Sequence, residues 1–230
     1  YARIEKSGER FLLKKNRDSN KDQSYFLYRL TQDQLKRAMM PLGSYTKEKG
    51  RQLAHELHLP VADKRESQEI CFISDNDYRA FVARQIPLLT KSGPITDRAG
   101  NLLGEHHGII DYTIGQRHGL GIAAKEPLYV LEVDSKRNAV IVGSKKQVYA
   151  DEMIVSEVNW IACDEPQHPL AGKVKIRYRH KESSALLTPL HDGNVRIRFE
   201  QPQMAITPGQ SAVFYRDDVV LGGGTIMGQG

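Results

Sequence analysis

Two cysteines in 230 residues are too few for a disulfide-built scaffold and fit a reducing, cytoplasmic compartment. No apolar run approaches the ~18 residues that cross a bilayer as a helix, and no signal-peptide pattern opens the chain. No membrane association is therefore expected. No glycine-rich phosphate loop follows a strand anywhere. Gly222-Gly223-Gly224 comes too close to the end for a helix to follow it, and reads as a kink or bulge in a strand. His55, His58, His106 and His107 stand at no zinc spacing with the cysteines and are expected on the surface or in the core, so no metal site is expected. The chain starts at Tyr1 rather than methionine and is expected to be part of something longer.

What is present is an ordinary globular composition, 40% hydrophobic and 27% charged, long enough for one large domain or two to three small ones. The formal charge of +5 suits an anionic partner such as nucleic acid without requiring one. Residues 1–15 read as a hairpin around Lys6-Ser7-Gly8-Glu9. Thr31-Gln-Asp-Gln34 is a capping-box pattern that opens a short helix stopping at Pro41. Thr46 caps a helix with Leu53, Ala54 and Leu57 on one face, ending by Pro60. Ile70-Cys-Phe-Ile73 reads as a short strand. Asp75 is expected to cap a helix bearing Tyr78, Phe81, Val82 and Ile86. Residues 127–142 form a hairpin about Asp134–Asn138. Beyond residue 144 only strands are visible, at 153–160, 172–180, 184–190, 194–200, 211–216 and 218–227, which predicts a small closed barrel. The fold class is multidomain α+β, with expected divisions at 1–74, 75–142 and 143–230.

Four stretches can carry chemistry. Gly172–His180 alternates strictly, placing Lys173, Lys175, Arg177 and Arg179 on one face and Val174, Ile176, Tyr178 and His180 on the other. Asn194–Phe199 repeats the device with Arg196 and Arg198 outward. Six outward cations and no acid suit phosphate contacts, although each strand alone also fits a solvated face. Gly115-Gln-Arg-His-Gly-Leu-Gly121 is either a phosphate-facing loop or a glycine-rich turn. Cys71 is either a small packed hydrophobe between Ile70 and Phe72 or a nucleophile with Lys64 and Arg65 upstream. Cys163, beside Asp164 and Glu165, is discouraged from ionising.

Asn20-Lys-Asp-Gln-Ser-Tyr-Phe-Leu-Tyr28, Glu69-Ile-Cys-Phe-Ile73, Tyr112-Thr-Ile-Gly-Gln-Arg-His-Gly-Leu-Gly-Ile122, Lys175-Ile-Arg-Tyr-Arg179 and Thr207-Pro-Gly-Gln-Ser-Ala-Val-Phe-Tyr215 occur in this order. Together they resemble the tRNA-specific 2-thiouridylases, which put sulfur on the wobble uridine of tRNA, and the resemblance covers essentially the whole chain. It implies the last part of a PP-loop α/β catalytic domain, a small central domain and a C-terminal β-barrel similar to translation-factor barrels. The family's Ser-Gly-Gly-x-Asp-Ser-Ser phosphate loop and first catalytic cysteine are not in this sequence. ATP with magnesium is thus implied for the intact enzyme, with its site outside this chain, and the chain alone is expected to be inactive.

Cys71 falls on the persulfide-bearing cysteine of the family. There a persulfide displaces AMP from adenylated uridine, and the other cysteine releases the product by disulfide formation. Lys21, Asp22, Gln23, Arg177, Tyr178 and Gln210 fall on family contacts to tRNA. A cysteine desulfurase or sulfur-relay carrier is the implied donor. A non-catalytic RNA-binding barrel is the competing reading, and a thiol redox protein is disfavoured by the lack of a paired cysteine.

Overall fold

The computed structural model describes residues 1–64 and 77–228. The expected strand at 70–73, Cys71 and the expected cap Asp75 lie outside the described residues. In chain order the elements are β1 (Ala2–Ser7), β2 (Arg10–Lys15), α1 (Ser24–Leu27), α2 (Gln32–Arg37), α3 (Lys47–Glu56), α4 (Tyr78–Gln85), β3 (Gly93–Thr96), β4 (Leu102–His106), β5 (Tyr129–Asp134), β6 (Ala139–Gly143), β7 (Tyr149–Trp160), β8 (Leu170–Lys175), β9 (Ser183–Pro189), β10 (Val195–Met204), β11 (Ser211–Arg216) and β12 (Val219–Gly228). They form two compact units. One contains residues 1–64, 151–202 and 207–228, and the other contains 77–150 and 203–206.

In the first unit, β12, β11, β8, β9, β10 and β7 pair in that order, and β7 pairs again with β12, closing a six-stranded antiparallel barrel. All six strands expected beyond residue 144 are present. Their interior positions are filled by Val174, Leu187, Val195, Ile197 and Phe214. Along β10 the alternation holds as read, with Val195, Ile197 and Phe199 buried and Arg196 and Arg198 exposed. β11 instead reads as an unbroken apolar run, Ala212-Val-Phe-Tyr215, all buried. Both of its faces are covered: Val213 and Tyr215 pack with Ala2, Leu13, Tyr25, Tyr28 and Leu35 of the N-terminal segment. That segment is the expected hairpin β1–β2, joined to the barrel sheet where Lys14 pairs with Val219, followed by three short helices.

Local signals explain the helices. Thr31 and Gln34 form the reciprocal capping box, yet α2 ends at Arg37, four residues before Pro41. The Thr46 hydroxyl accepts from the Lys49 amide at 3.2 Å and starts α3. None of the residues of α3 is fully buried, and Leu57 just beyond it is 67% exposed, so the expected apolar face is only half covered.

In the second unit the hairpins β3–β4 and β5–β6 join through the parallel pair β3–β6. Ile95, Ile109, Leu120, Val130, Val140 and Val142 form its core. α4 is present, but Asp77 caps it, accepting from the Ala80 amide at 2.8 Å. His106 is fully buried, with its Nε2 3.0 Å from the Asn138 carbonyl, which is the core-histidine reading. Among the described residues no helix is long and apolar enough to cross a membrane.

Candidate nucleic-acid interface

The strand that carries Lys175 stops there, whereas the sequence pattern continues to His180. Alternation is kept through Val174 and Ile176, both buried, after which the chain turns and the His180 amide donates to the Arg177 carbonyl at 3.0 Å. The ladder with β11 ends at the Val213–Lys175 pair, although β11 itself runs on to Ser211, and the ladder with β9 ends at Val174–Ser183, where β9 begins. Arg177 and Tyr178 therefore sit on a bend at the barrel rim rather than on opposite faces of a strand.

That bend meets the 20–28 segment. The Tyr178 ring lies 4.6 Å from Phe26 and 6.2 Å from Tyr25, centroid to centroid. Tyr25 and Phe26 are 5.4 Å apart, edge to face. The Lys175 ammonium stands 5.6 Å from the Tyr178 ring centroid and 6.0 Å from that of Tyr25, within cation–π range. Tyr25 is buried and its hydroxyl donates to the Ser211 carbonyl at 2.9 Å. Burial, then the nearby Tyr28, pushes that hydroxyl up to about 12, against the pull of Arg177. Phe26, by contrast, is 58% exposed. A large apolar ring left in water among cations is the feature that sequence reasoning missed, because it reads as one more aromatic in an apolar helix.

The third segment arrives through β11. Ser211 also meets Tyr28, whose hydroxyl is 3.1 Å from its Oγ. Gln210, next to it, is exposed at the end of a turn in which its amide donates to the Thr207 carbonyl and Gly209 has φ +83°. Pro208 and Gly209 suit the two central positions of such a turn. Thus three of the five sequence motifs, at 20–28, 175–179 and 207–215, come together at one place.

Within the loop, Asp22 is buried. Its carboxylate accepts from the Asn16 amide at 3.0 Å, the Ser24 amide at 3.2 Å and the Ser24 hydroxyl at 2.8 Å. The Ser24 hydroxyl lies 3.2 Å from that of Tyr215. Asp22 shapes the loop, with Lys21 partly exposed on one side and Gln23 exposed on the other. The Gln23 amide is tied to the Tyr1 carbonyl at 2.9 Å.

The outer face is less uniformly basic than the alternation implied. Arg196 pairs with Glu152 of β7 at 3.3 Å, and exposed Glu200 follows on the same side of β10. Strand neighbours from distant sequence supply these acids, so a strand read by itself cannot show them. Cys163 is half-buried, and burial pushes its thiol up against the pull of Arg10 and Arg216, which disfavours the nucleophilic thiolate. Among the described residues no group of three or more His, Cys, Asp or Glu is placed to hold a metal ion.

Fold and site together define a β-barrel protein with a cation-flanked aromatic surface at the barrel rim. Family models match along the chain: the tRNA methyl transferase HUP domain at residues 1–75, the tRNA methyl transferase PRC-barrel domain at 79–144 and the aminomethyltransferase beta-barrel domain at 150–226. The chain is 56% identical over 218 residues to tRNA-specific 2-thiouridylase MnmA 1 of Caldanaerobacter subterraneus subsp. tengcongensis, covering 95% of this chain and 60% of that protein. It is 50% identical to the MnmA of Acetivibrio thermocellus, covering 95% and 61%, and 46% identical to MnmA 1 of Clostridium botulinum, covering 98% and 64%. The chain belongs to the tRNA-specific 2-thiouridylase family. It spans 60% to 64% of the length of these three curated relatives.

Proposed function

We propose that this chain is the tRNA-gripping, sulfur-bearing part of an enzyme that replaces the 2-oxygen of the wobble uridine with sulfur. The observation that carries the tRNA part is the meeting of Phe26, Tyr178 and Lys175 with Arg177 beside the Lys21–Gln23 loop. Exposed rings stack on unpaired bases and adjacent cations meet phosphates, which is how single-stranded RNA is held without a groove to read. In this reading Arg177 takes a phosphate, and Phe26 and Tyr178 stack against bases. Lys21 and Gln23 place the target, Gln210 extends the contact, and Asp22 holds the loop in shape.

Cys71 carries the sulfur as a persulfide. A sulfur nucleophile is soft and strong, which suits it to attack at C2 of the base. The sulfur comes from a cysteine desulfurase or a relay carrier. The ATP and magnesium that the resemblance implies have no fitting site in these residues, since the phosphate loop is not in the sequence, and no step here runs through them. The proposed three-part division at 1–74, 75–142 and 143–230 follows the same family reading.

The family models are described by methyl transfer and the relatives by 2-thiolation, and the product separates the two. In a strain complemented by a full-length family enzyme carrying this sequence, Cys71→Ser is expected to abolish 2-thiouridine in tRNA, while Cys163→Ser retains it. Full 2-thiouridine in Cys71→Ser overturns the assignment and leaves the non-catalytic RNA-binding barrel standing.

A further inference from the structure

The Gly115–Gly121 stretch has a structure that the proposed tRNA contacts leave unused. Its base is pinned. The Gly115 amide donates to the Val130 carbonyl at 2.8 Å, and the Val130 amide to the Gln116 carbonyl at 2.9 Å. The Gln116 side chain accepts from the Thr113 amide at 2.9 Å and donates to the His118 carbonyl at 3.0 Å. Leu120 is buried in the core of this unit, and Ile122 and Leu128 pack against the same core. Three apolar anchors and four hydrogen bonds thus hold the loop in one course.

The backbone amides between those anchors are not used by the fold. From Arg117 to Glu126 no amide donates a hydrogen bond to any described residue. Most of these residues are exposed, so their donors are open to water or to a ligand. They line an open cleft of about 660 Å³. Arg117, His118 and Lys125 are exposed on it, against one acid, Glu126. Gly119 and Gly121 adopt φ of +78° and +68°, and no atom stands within 4 Å of a Cβ built on Gly121. These glycines carry the chain through left-handed turns and leave its backbone open to close approach; they serve no packing.

We propose that residues 117–126 form a phosphate-binding loop that takes the sugar–phosphate backbone of RNA. Amides in such turns bind anions through their aligned N–H dipoles, and Arg and Lys add charge at the rim. The cleft is open and Arg117 and Lys125 are both exposed on it, which suits a chain of phosphates better than one enclosed ion. The RNA source of the phosphate rests on the proposed tRNA function, whereas the geometry of the loop is independent of it.

The test uses the 230-residue chain, labelled with ¹⁵N and titrated separately with an unmodified tRNA transcript bearing a wobble uridine and with inorganic phosphate. The expected result is movement of the amide signals of 117–126 with micromolar tRNA. In parallel, Arg117→Ala/Lys125→Ala should lower the slope of log affinity against log salt by about one unit for each phosphate no longer neutralised. Both side chains are exposed, and an unchanged thermal midpoint shows that the double variant is folded. Arg117→Lys/Lys125→Arg keeps the charge and should keep the slope. Shifts with phosphate alone overturn the RNA assignment, and no shift with either overturns the site. If tRNA binding depends on Arg177 but not on the loop variants, this inference alone falls. If the wild-type chain binds no tRNA, the tRNA reading falls, and this assignment with it.

Discussion

Asp22 is an anion in a place proposed for an anionic ligand, and its burial resolves the conflict. Its two oxygens are occupied by three donors from Asn16 and Ser24, so the charge is spent on the loop. Asp22→Ala would leave two buried amides without an acceptor, each costing roughly 1–3 kcal/mol. The expected outcome is a lower urea midpoint together with weaker tRNA binding, while Asp22→Asn keeps one acceptor oxygen and loses less. Wild-type stability in Asp22→Ala would show that the loop is held by other means. Phe26 acts by a different force. A stacked base is worth about 1–3 kcal/mol, so Phe26→Ala should weaken tRNA binding by about tenfold or more with no change in salt slope. Phe26→Tyr should bind normally. Arg177→Ala should instead flatten the slope, and titrations at several salt concentrations separate stacking from charge. The proposed roles of Lys21, Gln23, Tyr178 and Gln210 were legible only through the family motifs, whereas strand alternation also marked Arg177 as part of a basic face. Exposure, which marks out Phe26, depends on what lies beside a residue in space, and a single sequence carries no such information.

At the level of elements, β12 was legible in an unusual way. Gly222-Gly223-Gly224 suggested a kink or bulge, and β12 does shift register against both neighbours, between Phe214 and Tyr215 on the β11 side and between Gly223 and Thr225 facing β7. What the sequence could not convey is why three glycines are needed. A Cβ on Gly222 would run into the Asn159 carbonyl, one on Gly224 into the Ser156 carbonyl, and one on Gly223 would stand 2.7 Å from the Tyr28 ring. The barrel closes here, and two backbones approach more closely than a side chain permits. Gly222→Ala or Gly224→Ala is expected to destabilise the barrel by about 1–3 kcal/mol, through overpacking against backbone that cannot swing aside. Denaturant unfolding measures this, and a change within experimental error would mean that β7 can retreat. Strand period also revealed β10 and the start of β8. It failed at Lys175 because the chain turns there and leaves both neighbours: the ladder with β9 has reached that strand's first residue, Ser183, and β11 continues to Ser211 without a partner from β8.

The whole molecule divides into two units with one tryptophan, Trp160, which belongs to the barrel unit and packs 5.7 Å from Phe214. Its fluorescence therefore follows the barrel unit in a molecule of two units. That unit contains His180, whose buried Nδ1 has no hydrogen-bond partner among the described residues. Burial, and then the positive charge of Arg177, holds this imidazole below its ordinary 6.5, with Lys175 acting in the same direction. The sign of the consequence is fixed. Between the lowered folded value and 6.5, the unfolded chain binds more protons at this site than the folded one, so stability falls as pH drops through that window. Asp218 adds to acid sensitivity at lower pH. Burial, its largest single influence, pushes it up, but Arg3 and Lys14 together outweigh that and hold it below the usual 3.8. The expected outcome is a urea midpoint, read at Trp160, that declines from pH 7 to pH 5.5. His180→Gln should flatten the decline, because the titrating group is gone. Arg177→Ala should flatten it in part, because burial remains. A midpoint that is constant or rises on acidification, or a decline that survives intact in His180→Gln, would show that the imidazole at the barrel rim takes up its proton without cost.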